Sequence, residues 1–443
     1  MGSYVPSSSA EQKEMLQAVG CASFDDLFSQ IPEQIRRKEP LDLPDGKAEL
    51  EVRRIMEGIA EKNRVFKTVF RGAGAYRHYI PAIVKSVTSK EEFLTAYTPY
   101  QAEISQGILQ SIFEYQTMIC ELTGMDAANA SVYDGATAAA EALAMCRDRG
   151  RTKALISAAV NPQVIETMRT YCEGANAELV IVPEKDGVTD PQALASLLDE
   201  DCACFYLQQP NYYGLIEDAD TLGEIAHSGG AKFIMGCNPI SLAVLKTPAE
   251  CGADIAVGEG QPLGLPLGFG GPYLGFMSCT AKMMRKLPGR IVGETVDLEG
   301  KRAYVLTLQA REQHIRREKA SSNICSNEAL CALTASVYLS VMGEEGLKEA
   351  ACQCMSKAEY AIEKITAIDG FQLRFPGARF HEFATTCPVD TGKVLAELEK
   401  NGILGGLPLS GEQDGCLLWC VTEMNTKEEI DRLAGILKEA CAR

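Results

Sequence analysis

Residues 202–237 read "CACFYLQQPNYYGLIEDADTLGEIAHSGGAKFIMGC", and this stretch decides the fold. Residues 202–209 and 231–237 are largely unbroken apolar runs, and 218–230 between them has the apolar spacing of a helix. Strands that are apolar throughout, rather than at alternate positions, are buried on both faces. The stretch therefore predicts two parallel strands joined by a right-handed helical crossover that covers the sheet.

The same alternation continues on both sides of this stretch. Residues 105–124 predict a long helix, because apolar side chains recur every three or four positions and Gly124 supplies a C-terminal stop. Further helices are predicted over 135–150, 161–175 and 190–201, and further strands over 153–160, 178–183 and 254–257. We therefore predict a large α/β domain, with a mostly parallel sheet, over residues 96–342.

The two ends of the chain have different patterns. Residues 1–95 predict an N-terminal helical arm, and 343–443 predict a smaller α+β domain. The arm contains predicted helices over 11–20, 23–31 and 47–63. The C-terminal part contains predicted helices over 345–370, 391–402 and 427–442, after one over 327–343, and strands over 371–375, 380–387 and 416–423. This architecture is common among pyridoxal-phosphate (PLP) enzymes, although a fold alone does not define a function.

Composition excludes some classes of partner. The net charge of −17 disfavours nucleic acid and anionic membrane surfaces, which would repel the chain. No apolar run approaches the roughly 20 residues of a membrane span, and the first residues lack the pattern of a secretory signal. The 17 cysteines are scattered and the four histidines are far apart in sequence, so we expect free thiols in a reducing cytoplasm and no metal site.

A candidate phosphate loop joins a short strand to a helix in "ANASVYDGATAAAEA" (128–142). Gly135, Ala136 and Thr137 leave free backbone N–H groups at a helix start, which suits a phosphate. An ordinary tight helix start is the other interpretation. Asp134 argues against a phosphate, because like charges repel.

Two further segments carry candidate binding residues. In "AYTPYQAEISQG" (96–107), Tyr97, Thr98, Tyr100 and Gln101 are candidates for a ligand pocket or a subunit interface, and packing of the arm is the alternative. In "QAREQHIRREKASSNICSN" (309–327), a local basic patch includes Arg311, His314, Arg316 and Arg317. This patch suits a carboxylate or an acidic partner, and a solvated helix with internal ion pairs is the alternative.

The glycine-rich stretch "GEGQPLGLPLGFGGP" (258–272) is a poor match to a dinucleotide-binding fingerprint. Its third glycine has the wrong spacing, and Pro262 and Pro266 stand where the helix should begin. Nucleotide binding is therefore not expected here.

Four segments together resemble a known family: "YTPYQAEISQG…EYQTMICELTGMDAANASVYDGATAAAEA", "GADIAVGEGQPLGLPLGFGGPYLGF", "KLPGRIVGET" and "LQAREQHIRREKASSNIC". They are similar to the glycine cleavage system P-protein, over nearly the whole chain. That family has PLP-dependent transferase fold type I and decarboxylates glycine, passing the aminomethyl group to the lipoyl arm of the H-protein. It occurs as one long chain with two related halves or as two subunits, and this chain resembles the separate α subunit.

The resemblance also indicates what this chain lacks. The catalytic half of the family has a Schiff-base lysine, an aspartate on the pyridine nitrogen and a stacking histidine. Pro262, Met235 and Tyr213 stand at the corresponding positions here, and no lysine lies between 247 and 281. The resemblance thus implies no covalent PLP and no catalytic residue in this chain.

The implied partners are a PLP-bearing β subunit in an α2β2 heterotetramer, the lipoylated H-protein and glycine. By resemblance, Tyr97, Tyr100 and Gln101 are the first candidates for contributing to a shared site, and the basic patch is the second. Two alternatives stay open. One is a self-sufficient PLP enzyme that uses Lys246 or Lys282, and the other is a non-enzymatic binding protein on this fold.

Overall fold

The computed structural model of the chain describes residues 7–39, 41–148, 150–320, 322–324 and 327–442. It divides into two compact units, residues 1–65 and 66–443. The helices are α1 Ser9–Ala18, α2 Phe24–Leu27, α3 Glu49–Ala60, α4 Ala82–Thr88, α5 Glu91–Leu94, α6 Gln106–Thr123, α7 Gly135–Cys146, α8 Pro162–Gly174, α9 Pro191–Leu197, α10 Ala219–Ser228, α11 Gln313–Arg316, α12 Ala329–Thr366, α13 Thr391–Lys400 and α14 Lys427–Ala442.

The strands are β1 Thr68–Val69, β2 Ala127–Ala128, β3 Lys153–Ser157, β4 Leu179–Val182, β5 Glu184–Lys185, β6 Val188–Thr189, β7 Cys202–Gln209, β8 Lys232–Cys237, β9 Ile255–Glu259, β10 Gly275–Cys279, β11 Ile291–Val296, β12 Arg302–Thr307, β13 Glu382–Thr386, β14 Ile403–Leu404, β15 Leu407–Pro408 and β16 Cys416–Cys420. Among the described residues, no helix combines the length and the apolarity that crossing a membrane requires.

The first unit consists of helices α1 to α3, which confirms the helices predicted there. Helix α1 begins at a capping box. The N–H of Glu11 donates to the Ser8 hydroxyl, and the N–H of Ser8 donates to the Glu11 carboxylate at 2.6 Å. Each bond satisfies a backbone donor that a helix start leaves without an intrahelical partner.

The second unit is built on a seven-stranded sheet in the order β2-β10-β9-β8-β7-β3-β4. Strands β9, β8, β7, β3 and β4 are parallel, as the apolar runs predict. At one edge β10 pairs antiparallel with β9, and β2 pairs antiparallel with β10. Sequence analysis missed β10, because its short run follows the glycine-rich loop directly.

The two faces of this sheet carry different helices. Helices α7 and α8 cover one face, where Tyr206 and Ile234 join their buried cluster. Helices α9 and α10 cover the other face, where Phe205 and Met235 are fully buried. Adjacent residues of one strand therefore serve opposite layers, as the alternation of side chains along a strand requires.

The C-terminal part of this unit packs α12, α13 and α14 on the small sheet β13-β16-β15. The helices predicted over 327–343 and 345–370 are the two segments of α12, which meet at Gly343 with φ +60°. The strand predicted over 371–375 is not formed, because Leu373 makes only an isolated bridge to Thr385. The domain boundaries after residues 95 and 342 stay predictions.

Gly258 of β9 offers a test of the packing between strands. A Cβ at this position would lie 2.3 Å from the Cys237 carbonyl oxygen and 2.4 Å from the Phe276 ring. We expect Gly258→Ala to lower the free energy of unfolding by about 1–3 kcal/mol or more, because neither neighbour can move cheaply. Urea denaturation followed by circular dichroism measures this change.

Gly435 is the matched control, because it lies in α14 and a Cβ there would meet nothing within 4 Å. Gly435→Ala should raise the free energy of unfolding by roughly 0.5–1 kcal/mol. Equal effects of the two substitutions would contradict the close approach at Gly258.

Candidate functional site

A cavity of about 520 Å³ lies at the carboxyl edge of the parallel strands. Its wall is formed by the ends of β7, β8 and β9, the first turns of α7 and α8, the loop 72–76 and the start of β13. Ligands of open α/β sheets bind at this edge. The cavity is therefore the candidate site of this fold.

The carboxylate of Glu259 holds the start of α7. It accepts hydrogen bonds from the backbone N–H groups of Gly135 at 2.9 Å, Gln261 at 2.9 Å and Leu274 at 3.0 Å. Desolvation raises the pKa of Glu259 to about 7, against the lowering effect of these bonds. An internal carboxylate thus takes a helix-start donor that a bound phosphate would use.

The predicted phosphate loop lies at this cavity, and the N–H groups of Gly135 and Thr137 are used internally. Gly135 and Ala136 line the cavity, and Thr137 follows in the first turn of α7. The N–H of Thr137 donates to the Asp134 carboxylate at 2.7 Å, so Asp134 caps the helix. Whether this loop binds an anion stays a prediction.

A second acidic group, Glu382, also lines the cavity. Glu382 is 2% exposed and accepts hydrogen bonds from the Ala73 N–H at 2.6 Å and the Tyr76 hydroxyl at 2.7 Å. Burial raises its pKa to about 7. The side chain of Gln261 fixes the same loop, accepting the Tyr76 N–H at 2.8 Å and donating to the Tyr76 carbonyl at 2.9 Å.

His381 forms the wall beside Glu382 and is 2% exposed. Its ring packs 4.5 Å from the rings of Tyr76 and Phe380, measured between centroids. Its Nε2 lies 3.4 Å from the side-chain nitrogen of Asn238, and its Nδ1 has no hydrogen-bond partner. Burial, with a smaller effect of the nearby His78, lowers the pKa of His381 well below its usual value, so the ring is neutral near pH 7.

A buried cluster lies behind this wall. His78 Nδ1 and Glu423 Oε2 are 2.8 Å apart, and the Cys354 thiol donates to the same oxygen at 3.4 Å. The ligand atoms of these three residues lie within 4.8 Å of one another, a proximity that their sequence spacing did not predict. Their mutual hydrogen bonds account for this cluster, and the absence of a metal stays a prediction.

The residues aligned with the family's catalytic groups lie apart from the cavity lining. Met235 points into the apolar layer with α9 and α10, whereas its neighbour Gly236 lines the cavity. Tyr213 packs its ring 4.6 Å from Phe375. Pro262 is buried in the turn that follows Gln261. Their correspondence to lost catalytic groups stays a prediction.

The candidate interface residues are mostly at the surface. Tyr97 is 85% exposed, and Thr98 is half-buried before the exposed Gln101. Tyr100 is also exposed, but its hydroxyl accepts a hydrogen bond from Arg290 Nη2 at 3.0 Å and its ring lies under the guanidinium. This segment does not line the described cavity.

The basic patch does not form one continuous helix, because three short helical turns divide residues 309–319. Arg311 is used internally, donating to the carbonyl oxygens of Leu287 and, at 2.7 Å, Gly289. The exposed members are His314, Arg316 and Arg317. Their role in binding stays a prediction.

The cavity does not fit PLP. Among the described residues that line it, none is a lysine that would form a Schiff base or an arginine that would bind a phosphate. The Glu259 carboxylate accepts the Gly135 N–H that a phosphate would use. We therefore derive no chemistry through PLP in this chain.

Most of the cavity wall has no signal in the local sequence. Tyr76 lies about 300 residues before His381 and Glu382 in the chain and meets them only in the folded unit. Glu259 could have been found from the sequence, because a carboxyl group at the end of an apolar strand lies at the edge of the sheet where ligands bind.

The raised carboxyl pKa values predict a pH-dependent stability. Because the folded-state pKa of Glu382 lies above its unfolded value, the native state binds more protons, and the stabilisation is lost as pH rises through about 7. Relative to Glu382→Gln, which stays neutral, the wild-type free energy of unfolding should fall by on the order of 2 kcal/mol from pH 5 to pH 8. Urea titrations across this range measure the difference, with the exposed Glu345→Gln as control. A pH-independent difference would contradict the raised pKa.

Comparison with known proteins places this geometry in a family. Residues 2–437 match the family model described as glycine cleavage system P-protein. The chain is 52% identical over 439 residues to a probable glycine dehydrogenase (decarboxylating) subunit 1 of Moorella thermoacetica, covering 98% of this chain and 99% of that relative. The name "subunit 1" denotes one component of an enzyme with more than one subunit.

Solved structures agree. A crystal structure of glycine decarboxylase (P-protein) of the glycine cleavage system, in inhibitor-bound form, is 42% identical with a TM-score of 0.92 and covers 99% of this chain and 100% of that chain. A sphingosine-1-phosphate lyase of Burkholderia pseudomallei, 16% identical with a TM-score of 0.67 over 93% of this chain and 94% of that chain, shares the fold. The predicted fold type I of PLP-dependent transferases is thus confirmed. The chain belongs to the glycine cleavage system P-protein family.

Proposed function

We propose that this chain is the α subunit of glycine decarboxylase and acts with a β subunit that carries PLP. The assembled enzyme decarboxylates glycine and transfers the aminomethyl group to the lipoyl arm of the H-protein. Membership of the P-protein family and the relative named subunit 1 support this activity for the complex. The chain on its own is not catalytic in this proposal.

One observation carries the assignment of the cofactor to the partner. The Glu259 carboxylate accepts the Gly135 N–H at the start of α7, which is where a phosphate would bind to this fold. A phosphate there would be repelled by Glu259 and Asp134, and the described cavity lining supplies no cation to offset this. We therefore place the PLP site elsewhere in the complex.

An exposed apolar surface supports a partner subunit. It comprises Tyr97, Ile104, Val296 and Leu298, each at least 65% exposed. The segment with Tyr97 and the β11–β12 hairpin are joined through Gln106, whose side chain exchanges hydrogen bonds with the backbone of Tyr304, each 2.8 Å. Large exposed apolar side chains on adjacent elements favour a protein interface, here with the β subunit in an α2β2 assembly.

The basic patch supports a second contact. His314, Arg316 and Arg317 are exposed in a chain of net charge −17. Such a local positive charge favours an acidic surface or a carboxylate. We assign it to the approach of the H-protein or of glycine.

A self-sufficient PLP enzyme is less well supported. Lys246 is exposed and pairs with Asp220, and Lys282 is also exposed. Neither lysine lines the described cavity. If the chain were a non-enzymatic binding protein, adding it to a β subunit would not restore activity.

We place the complex in the cytoplasm, as the sequence suggests. The described cysteines are free thiols, which suits a reducing compartment.

Cofactor trapping tests which subunit holds PLP. The purified chain is incubated with PLP, reduced with borohydride and analysed by mass spectrometry, alone and with the β subunit. We expect no pyridoxyl adduct on any lysine of this chain and a stoichiometric adduct on the β subunit, because this cavity presents no lysine. Glycine-dependent CO₂ release should require both chains.

A stoichiometric adduct on Lys246 or Lys282 would support the self-sufficient enzyme instead. Activity of the β subunit that is unchanged by this chain would support a separate binding protein and overturn the proposal.

Tyr97→Ala tests the exposed apolar surface. Because Tyr97 is 85% exposed, its loss should leave the free energy of unfolding nearly unchanged. Association with the β subunit, measured by analytical ultracentrifugation, should weaken about tenfold or more. Lys438→Ala, an exposed change on α14, is the control and should not alter association. Unchanged affinity of the Tyr97→Ala chain would remove Tyr97 from the interface.

A further inference from the structure

Arg290 is a buried cation whose charge the described residues do not balance. It lies directly before β11, is 2% exposed, and donates one hydrogen bond, from Nη2 to the Tyr100 hydroxyl at 3.0 Å. Its Nε is buried and has no partner, and none of the described carboxylates forms an ion pair with it. A guanidinium can donate five hydrogen bonds, so most of the donor capacity of Arg290 is unused.

The environment of Arg290 differs from that of an arginine with a structural role. Arg71, which is half-buried, donates to the carbonyl oxygens of Gly405 at 3.1 Å and Gly406 at 2.8 Å and so ties two segments of the chain together. Arg290 makes no such link to the backbone of the described residues. Because buried charges are normally paired or fully hydrogen-bonded, Arg290 lacks a counter-ion in the free chain.

The side chain that contacts the guanidinium is itself exposed. The ring centroid of Tyr100 lies 5.3 Å from the guanidinium carbon of Arg290, yet Tyr100 is 59% exposed. Tyr100 belongs to a segment without helix or strand, between α5 and the helical turn Ala102–Ile104. A change of the Tyr100 rotamer would therefore uncover the guanidinium without any movement of the central sheet.

This arginine lies between the two elements of the exposed apolar surface. Tyr97 lies on the segment of Tyr100, and Val296 and Leu298 lie on the hairpin that begins directly after Arg290. A partner that covers this surface also covers Tyr100 and brings its own side chains to the guanidinium. A carboxylate matches the planar guanidinium best, because it accepts two parallel hydrogen bonds from it.

We propose that an aspartate or glutamate side chain of the β subunit enters beside Tyr100 and pairs with Arg290 in the assembled enzyme. This inference rests on the proposed function, because it needs the β subunit as the partner. It adds the residue and the charge through which this chain recognises that subunit. The apolar side chains around the pair would exclude water, which strengthens the attraction between its charges.

Urea unfolding of the full-length chain tests whether Arg290 is unpaired when the chain is alone. Arg290→Met should leave the midpoint of unfolding unchanged or raise it, because an apolar side chain of similar volume replaces a buried charge without a counter-ion. Arg71→Met is the matched control and should lower the midpoint, because two carbonyl groups lose their donor. A fall for Arg290→Met as large as that for Arg71→Met would make Arg290 a structural link within the chain and overturn the proposal.

Analytical ultracentrifugation with the purified β subunit tests the pair itself. Arg290→Met should weaken association about thirtyfold or more, because the carboxylate of the partner would be buried without its counter-ion. Arg290→Glu should abolish association, because two carboxylates would then meet, and Arg71→Met should associate as the wild-type chain does. Wild-type affinity of the Arg290→Met chain would overturn the pair. Failure of the wild-type chain to associate would instead overturn the proposed function.

Acetate distinguishes a side chain of the partner from a small carboxylate ligand. Equal concentrations of potassium acetate and potassium chloride should give the wild-type chain the same urea midpoint, because Tyr100 stays against Arg290 until the β subunit displaces it. A higher midpoint in acetate that Arg290→Met does not show would assign a small carboxylate to Arg290. That result would overturn the pairing with the β subunit.

Discussion

The hydrogen bond from the Gly135 N–H to the Glu259 carboxylate is the contact on which this site depends. Through its other acceptor sites the same carboxylate binds Gln261 and Leu274, so one group joins α7, the end of β9 and the entry to β10. Gly135 allows this approach, since a Cβ there would lie 2.8 Å from the Glu259 nitrogen. The position of the first turn of α7, and with it one wall of the cavity, follows from that contact.

The same contact shows how fold type I can place either a phosphate or an internal carboxylate at one helix start. In fold type I the carboxyl edge of the sheet and a helix start together suit a phosphate. Here an internal carboxylate uses that helix start, while the sheet, the crossovers and the cavity are kept. The difference is therefore one of charge and donors, not of architecture.

The elements whose cause is local could be predicted from the sequence. The parallel strands follow from unbroken apolar runs, and α6 follows from its helical spacing and from Gly124, which adopts φ +72°. The sequence could not predict the contact between Glu382 and Tyr76, because no local pattern relates residues about 300 positions apart. The sequence also could not show that Met235 faces α9 and α10 while Gly236 faces the cavity. In a strand that is apolar throughout, no alternation of polar and apolar residues indicates which face each side chain points to.

The cavity is lined by polar groups whose burial costs free energy. Two carboxyl groups with raised pKa values and an imidazole nitrogen without a partner all oppose stability, and apolar side chains of similar volume would remove these costs. Burial disfavours the ionised forms of Glu259 and Glu382, so this part of the cost grows as pH rises through about 7.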